Sequence, residues 1–300
     1  MPISRRALPP LPAIDVADPI VDHSPTMTRI VQITDTHLSP GKQHFAANWA
    51  PTREVVLAQD PDLVLHTGDV TVDGADIEAD LEHCAGLFAA LGVPVHAVPG
   101  NHDVGDPESA HQPVDAVRLA RWRRHIGHDW WTLDIDGWRL VGIDSMLVGS
   151  GLADEREQQA FVDAAMRDAG ARRLAWFMHK PLFLESPDEG DTGYWTFKPG
   201  PRAEWMARLR AHRVELVATG HLHKMHERTL DGCRYVWGPS SGFVVGERLQ
   251  EAMPGDKKLG AVVHDFSADG VATRIVELPA LARYWIDDVI HEVYPPRSAA

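Results

Sequence analysis

Short apolar, β-branched runs alternate along the chain with segments whose apolar residues recur at helical spacing. Ile30-Val31-Gln32-Ile33 and Leu63-Val64-Leu65 read as strands, and Val93–Val98 as a third that Pro94 interrupts. Between them, Thr52–Gln59 begins a helical stretch. The segment Ile77–Leu91 places Ile77, Leu81, Cys84, Leu87, Phe88 and Leu91 at helical intervals. A longer connection over Gly105–Asp129 contains an arginine-rich helix. Trp131–Ile135 and Trp138–Ile143 then form a predicted hairpin around Asp136-Gly137.

The second half reads as helix over Glu155–Ala169, strand over Leu174–Met178, helix over Ala203–His212 and strand over Val214–Ala218. Further strands follow at Glu227–Leu230, Arg234–Trp237, Ala261–Phe266 and Val271–Leu278. The β-α-β-α-β rhythm followed by meander-like strands predicts an α/β (α+β) fold of two packed mixed sheets flanked by helices, in one domain over 29–279. Residues 1–28 are Pro-rich and aperiodic, which predicts a disordered or surface-draped arm. The hydrophobic pattern begins at Arg29, so Met27 is a candidate natural start. Residues 280–300 form a tail in which Leu281–Val293 reads as amphipathic, either for dimer packing or to lid a site. No internal repeat at solenoid periods is present.

Composition narrows the class without naming it. The 300 residues are 44% hydrophobic and 24% charged, which suits one globular domain with a buried core. The net charge of -14 argues against binding to long nucleic acid, although a small phosphorylated substrate remains compatible if bound cations reverse the local field. Cys84 and Cys233 lie far apart and suggest two buried free thiols. No stretch reaches the length of a membrane span, and Ala7-Leu8-Pro9-Pro10 after Arg5-Arg6 is no signal-peptide core, so a cytoplasmic protein is the expectation.

The candidate chemistry sits at strand ends. Asp35-Thr36-His37 follows the first strand, Gly68-Asp69 the second, Gly100-Asn101-His102-Asp103 the third, His179 the strand over Leu174–Met178, and Gly220-His221-Leu222-His223 the strand over Val214–Ala218. In open α/β sheets, ligands gather at the carboxyl ends of strands, so five segments converge on one predicted rim. Asp35 and His37 are two residues apart, as are His221 and His223, and in an extended segment each pair would face the same way. Carboxylate, amide and imidazole donors without thiolate suit Zn, Mn or Fe. There are enough donors for two metal ions sharing a bridging carboxylate, a device for attacking phosphate esters.

The order Asp-x-His, Gly-Asp, Gly-Asn-His-Asp, His, Gly-His-x-His resembles the calcineurin-like metallophosphoesterase superfamily from Ile30 to about His223. The resemblance implies a four-layer β-sandwich flanked by helices and two divalent metal ions. It implies that Asp35, His37 and His223 bind the first ion, that Asn101, His179 and His221 bind the second, and that Asp69 bridges both. His102 resembles the family's non-ligand histidine, which donates to the leaving-group oxygen or stabilises the transition state. Two-metal logic then calls for a bridging hydroxide that attacks phosphorus in line.

Departures sharpen the expectation. Val72 and Asp73 stand where protein Ser/Thr phosphatases carry Asp and Arg, which disfavours that activity and leaves the partner of His102 open. Val72 also removes the tyrosine ligand of purple acid phosphatases. Class III cyclic nucleotide phosphodiesterases and glycerophosphodiesterases are the most similar group, through Asp35-Thr36-His37-Leu38, Ile143-Asp144-Ser145 and the loop with Asn48. They often have His-His-Pro-Pro where this chain has His179-Lys180-Pro181-Leu182.

The expected activity is therefore hydrolysis of a small phosphodiester. The alternatives are a phosphomonoesterase, a phosphonate-ester hydrolase or a metal-binding interaction scaffold. His44, Asn48, Lys180 and Trp195 are candidate substrate contacts. For Trp195, with Tyr194 and Phe197, stacking on substrate and a small satellite core are equally open readings; Lys180 either adds charge near substrate or points to solvent. A homo-oligomer is compatible with the tail. His66 and His264 read as core or surface residues rather than ligands.

Overall fold

The computed structural model describes residues 27–294. Most of the predicted Pro-rich arm, up to residue 26, lies outside the described residues. The strands and helices run β1 (Thr28–Ile33), α1 (Trp49–Ala58), β2 (Leu63–His66), α2 (Glu78–Ala89), β3 (Val95–Ala97), α3 (Asn101–Val104), α4 (Ala116–His125), β4 (Trp131–Ile135), β5 (Trp138–Ile143), α5 (Ala153–Arg167), β6 (Arg173–Met178), α6 (Pro199–His212), β7 (Leu216–Thr219), β8 (His226–Leu230), β9 (Cys233–Trp237), β10 (Gly260–Ser267), β11 (Gly270–Glu277) and α7 (Ile286–Val293).

Two mixed sheets result. One has the order β11-β10-β1-β2-β3, with β1, β2 and β3 parallel and β10 antiparallel to β1. The other has the order β4-β5-β6-β7-β9-β8, with β5, β6, β7 and β9 parallel between antiparallel edges. Side chains alternate faces along a strand, and β6 uses both faces. Ala175 and Phe177 point to the core between the sheets, where Ile30, Leu63, Leu65, Val262 and Phe266 of the first sheet meet Trp138, Leu140, Leu216, Ala218 and Val236 of the second. Leu174, Trp176 and Met178 point outward onto Val162 and Met166 of α5 and Trp205, Met206 and Leu209 of α6. Val56 of α1 covers the outer face of the first sheet against Val31, Ile33 and Val64. A strand buried on both faces reads as a continuous apolar run, and that is how β6 and β2 appear in the sequence.

The predicted elements are present with shifted ends. β7 starts at Leu216 rather than Val214 because Arg213 turns left-handed (φ 55°) and Val214 N–H bonds back to Leu209 O, closing α6. The short α3 carries no apolar period and was not predicted. It forms because the buried Asp103 carboxylate accepts from Gly100 N–H (2.9 Å), Val70 N–H (3.1 Å) and Thr71 N–H (2.9 Å), tying the ends of β2 and β3 together. A second tie crosses the sandwich: the Gln32 amide donates to Thr67 Oγ1 (2.9 Å) and to Thr219 O (3.1 Å) at the end of β7. These ties hold the carboxyl ends of β1, β2, β3 and β7 at one rim, and β6 joins them through its pairing with β7. Cys84 and Cys233 are buried free thiols.

Candidate metal centre

The backbone at the rim departs from the extended form that the two-residue spacing suggested. Asp35, His37, Asp69, His221 and His223 all have positive φ, between 46° and 70°. A non-glycine residue held in that region costs ~1–3 kcal/mol, and such strain persists where the surroundings over-determine it, commonly at functional sites. Each chain end therefore curls as it leaves its strand. The curl, not extension, turns neighbouring side chains into the same space.

The carboxylates are each pinned by one oxygen and turn the other toward the imidazoles. Asp35 Oδ2 accepts from Thr34 Oγ1 (2.7 Å) and His221 N–H (3.1 Å), while Oδ1 is buried with no hydrogen-bond partner and lies 3.2 Å from His223 Nε2. Asp69 Oδ1 accepts from His102 N–H (2.8 Å). Asp69 Oδ2 lies 3.2 Å from His179 Nε2 and 3.8 Å from His37 Nε2. Two constellations follow, Asp35–His37–His223 and Asp69–His179–His221, whose ligand atoms could each surround one ion. In the first, His37 Nε2 faces His223 Nε2 at 3.3 Å; in the second, His221 Nδ1 faces His179 Nε2 at 3.2 Å. Asn101 Oδ1 is likewise buried and unpartnered.

The outer nitrogens of the four imidazoles all have oxygen partners. His179 Nδ1 meets Thr67 O at 2.8 Å, His223 Nδ1 meets Phe243 O at 2.8 Å, His221 Nε2 meets Tyr194 O at 3.1 Å and His37 Nδ1 meets the Tyr294 hydroxyl at 2.9 Å. Such partners fix the tautomer and the ring plane, leaving the inner nitrogen as the electron-pair donor. Orphaned carboxylate and amide oxygens beside inward-facing imidazole nitrogens fit metal cations, which would satisfy every one of them.

Electrostatics agree with a cation site. Burial drives His37 and His221 well below the ordinary imidazole range, so both are neutral donors. Burial also opposes charge on Asp69, but His179, His102 and His37 outweigh it and hold the carboxyl well below its usual range. At His179, burial is overcome by the charge and hydrogen bond of Asp69, which bring the imidazole up to about 9. A cation beside Asp69 would take over from that proton.

Glycine is required where backbones crowd the carboxylates. A Cβ on Gly100 would collide with the Asp69 carboxylate. At Gly68, φ is +92° and a Cβ would stand 2.6 Å from His179 Nδ1.

His102 differs from the four inward imidazoles. Its side chain is 20% exposed, and Nε2 lies 4.0 Å from Asp69 Oδ2. Burial lowers its pKa, with Asp69 opposing, so the ring is a neutral N–H donor facing the opening. Its position also completes a His37–Asp69–His102 group. Its ring lies on Tyr294, with centroids 4.4 Å apart. Sequence reasoning missed Tyr294 as it missed the carbonyls of Thr67, Tyr194 and Phe243; no local pattern marks a distant acceptor.

The four candidate substrate contacts part company. Asn48 is 2% exposed, and its amide donates to Gly242 O and Ala282 O (both 2.9 Å) while Oδ1 accepts from Ala282 N–H (2.8 Å). It ties loops together and is corrected to a structural residue. Lys180 points neither to solvent nor freely to substrate: Nζ forms a buried ion pair with Asp106 (2.7 Å) and lies 5.4 Å from the Tyr194 ring. Trp195 stays near the centre, 6.0 Å from the His221 ring, but it also packs against the Leu222–Trp237–Met253 cluster. His44 faces Glu292 of α7 at 3.3 Å. Tyr194, 41% exposed and 4.6 Å from the His221 ring, is the better-placed aromatic.

A sandwich of two mixed sheets with a histidine- and carboxylate-rich rim defines a metal-dependent phosphoester hydrolase. The profile described as "Calcineurin-like phosphoesterase" matches residues 28–225, and the chain belongs to that family. A Synechococcus sp. protein named "Probable cyclic nucleotide phosphodiesterase" is 26% identical over 206 residues, 65% of this chain and 73% of its own. An Arcobacter nitrofigilis protein named "Probable glycerophosphodiester phosphodiesterase GpdQ" is 24% identical over 210 residues, 65% of this chain and 72% of its own. Purple acid phosphatase PPD1 of yellow lupin shares the fold, with a TM-score of 0.63 at 15% identity; the match covers 87% of this chain and 53% of that one.

Proposed function

We propose that this protein hydrolyses a small phosphodiester, of cyclic nucleotide or glycerophosphodiester type, with two divalent cations at the rim. Asp35, His37 and His223 would hold one and Asn101, His179 and His221 the other, with Asp69 shared. The observation that carries this reading is Asp69 Oδ2, which lies within 3.2 Å of His179 Nε2 and 3.8 Å of His37 Nε2 and so belongs to both constellations. Cations bound there would supply Lewis-acid charge neutralisation and a nucleophile from water at neutral pH.

The chain's own residues do the rest. The pinned oxygens of Asp35 and Asp69 stop the carboxylates from rotating away. His102 Nε2, on the open side, is placed to hydrogen-bond a phosphoryl or departing oxygen, stabilising charge as the ester bond breaks. Tyr194 and Trp195 present aromatic surface beside His221, where a nucleobase or other flat group can stack. The names of the two relatives support a diester rather than a monoester.

The test is a panel of cyclic nucleotides, glycerophosphodiesters, bis(p-nitrophenyl) phosphate and p-nitrophenyl phosphate, assayed with Mn, Fe and Zn. Diesters should turn over faster than the monoester. Protein that holds under one metal per chain and is inert on every ester with Mn added would be a scaffold instead.

A further inference from the structure

Three of the four inward imidazoles hand their outer nitrogen to a backbone carbonyl: His179 to Thr67 O, His223 to Phe243 O and His221 to Tyr194 O. His37 departs from this pattern. Its Nδ1 meets a side chain, the Tyr294 hydroxyl, at 2.9 Å and across 257 positions of sequence.

Tyr294 is firmly delivered. It follows α7, whose Ile286 and Val293 are buried with Phe45, Val72, Phe243 and Val245. Tyr294 N–H donates to Ile290 O (2.7 Å), and Lys42 Nζ donates to Val293 O (2.7 Å), fixing the end of the helix over the loop after β1. Ahead of the helix, Val244 N–H bonds to Tyr284 O and Ile286 N–H to Val244 O. The helix is thus tied to the segment whose Phe243 carbonyl orients His223. The ring of Phe243 lies 4.6 Å from His37 and 4.1 Å from His223.

We infer that Tyr294 is a positioning residue for the first metal position: its hydroxyl holds the His37 ring so that Nε2 points at Asp35 and His223, making α7 a working part of the centre. The inference rests on the dimetal reading above. A cation held at Nε2 would leave the proton on Nδ1, whose N–H would donate a hydrogen bond to the phenol oxygen. The same ring, 4.4 Å from His102, limits how that imidazole can turn.

Tyr294→Phe removes the hydroxyl and keeps the ring. Metal content after dialysis and a Mn titration followed by electron paramagnetic resonance separate the two ions. Wild type should bind two ions. The variant should keep one affinity and lose about 10–100-fold in the other, the usual cost of removing a ligand's outer partner. Its metal-free melting temperature should be unchanged, and excess Mn should restore kcat with KM unaltered. In a His223→Ala background, which already cripples the first position, Tyr294→Phe should leave the remaining ion's affinity unchanged.

Equal affinities in Tyr294→Phe and wild type overturn the inference, as does equal weakening of both ions with a lowered melting temperature. Wild type that binds fewer than two ions overturns the dimetal reading and this inference with it. Wild type that binds two ions yet cleaves no diester removes the proposed activity and leaves the role of Tyr294 standing.

Discussion

On the proposed reading Asp69 holds metal and His102 donates a proton, and substitutions can separate the two roles. Asp69→Asn removes the charge shared by both constellations, so both metals should weaken in equilibrium dialysis and turnover should nearly vanish. His102→Ala should keep the metals and lower kcat by about 10²–10⁴, the span of a lost acid–base group; loss of metal in that variant would make His102 a ligand. Lys180 was legible in the sequence only as a departure from a familiar motif, because its partner Asp106 lies 74 positions away. The pair is buried, at 5% and 6% side-chain exposure. Lys180→Met should therefore cost about 3–5 kcal/mol in urea unfolding by stranding a buried carboxylate, and adding Asp106→Leu should recover much of it. Unchanged stability with a raised KM would instead make Lys180 a substrate contact.

Strand ends and helices carry the next level. Gly100 sits at φ -107°, a conformation open to alanine, so Gly100→Ala acts through collision with Asp69, both its carboxylate and its backbone nitrogen. Circular dichroism should be unchanged while metal content falls. Most strands and long helices were legible because a period of two or 3.6 residues is a local signal. The hairpin of β4 and β5 was legible to the residue, since Asp136-Gly137 adopts the left-handed φ values (33° and 80°) that a tight hairpin turn needs. α3 was not legible, being four residues organised by Asp103. The tail read as amphipathic, and the structure docks α7 against the chain's own Phe45 and Phe243.

At the scale of the whole molecule, two buried histidines add to acid sensitivity. His264 bridges the sheets' polar tie, with Nε2 3.1 Å from Gln32 Oε1 and Nδ1 2.9 Å from Thr273 Oγ1. Burial pushes both His264 and His66 down to about 3, against an ordinary value of 6.5. Between those values the unfolded chain binds protons that the folded chain refuses at these two sites, so their contribution to stability is complete above pH 6.5 and falls as pH drops toward 3. Denaturant midpoints measured across that window should show the decline, and His264→Gln should flatten part of it. Among the described residues no helix is long and apolar enough to cross a membrane.

The sequence by itself determined which segments become strands and that polar motifs follow five of them, because periodicity and strand-end motifs are contiguous. From periodicity the two-sheet architecture could be read, while the order of the motifs carries a resemblance that implies the family and the seven candidate ligands. Only the tertiary structure decided that the motifs curl left-handed rather than run extended, that Lys180 is neutralised by Asp106, that Asn48 ties loops, and that Tyr294 reaches His37. The physical reason is the same in each case. A hydrogen bond or ion pair between residues tens to hundreds of positions apart leaves no period in the chain; it exists only once the sheets have packed and brought their ends together.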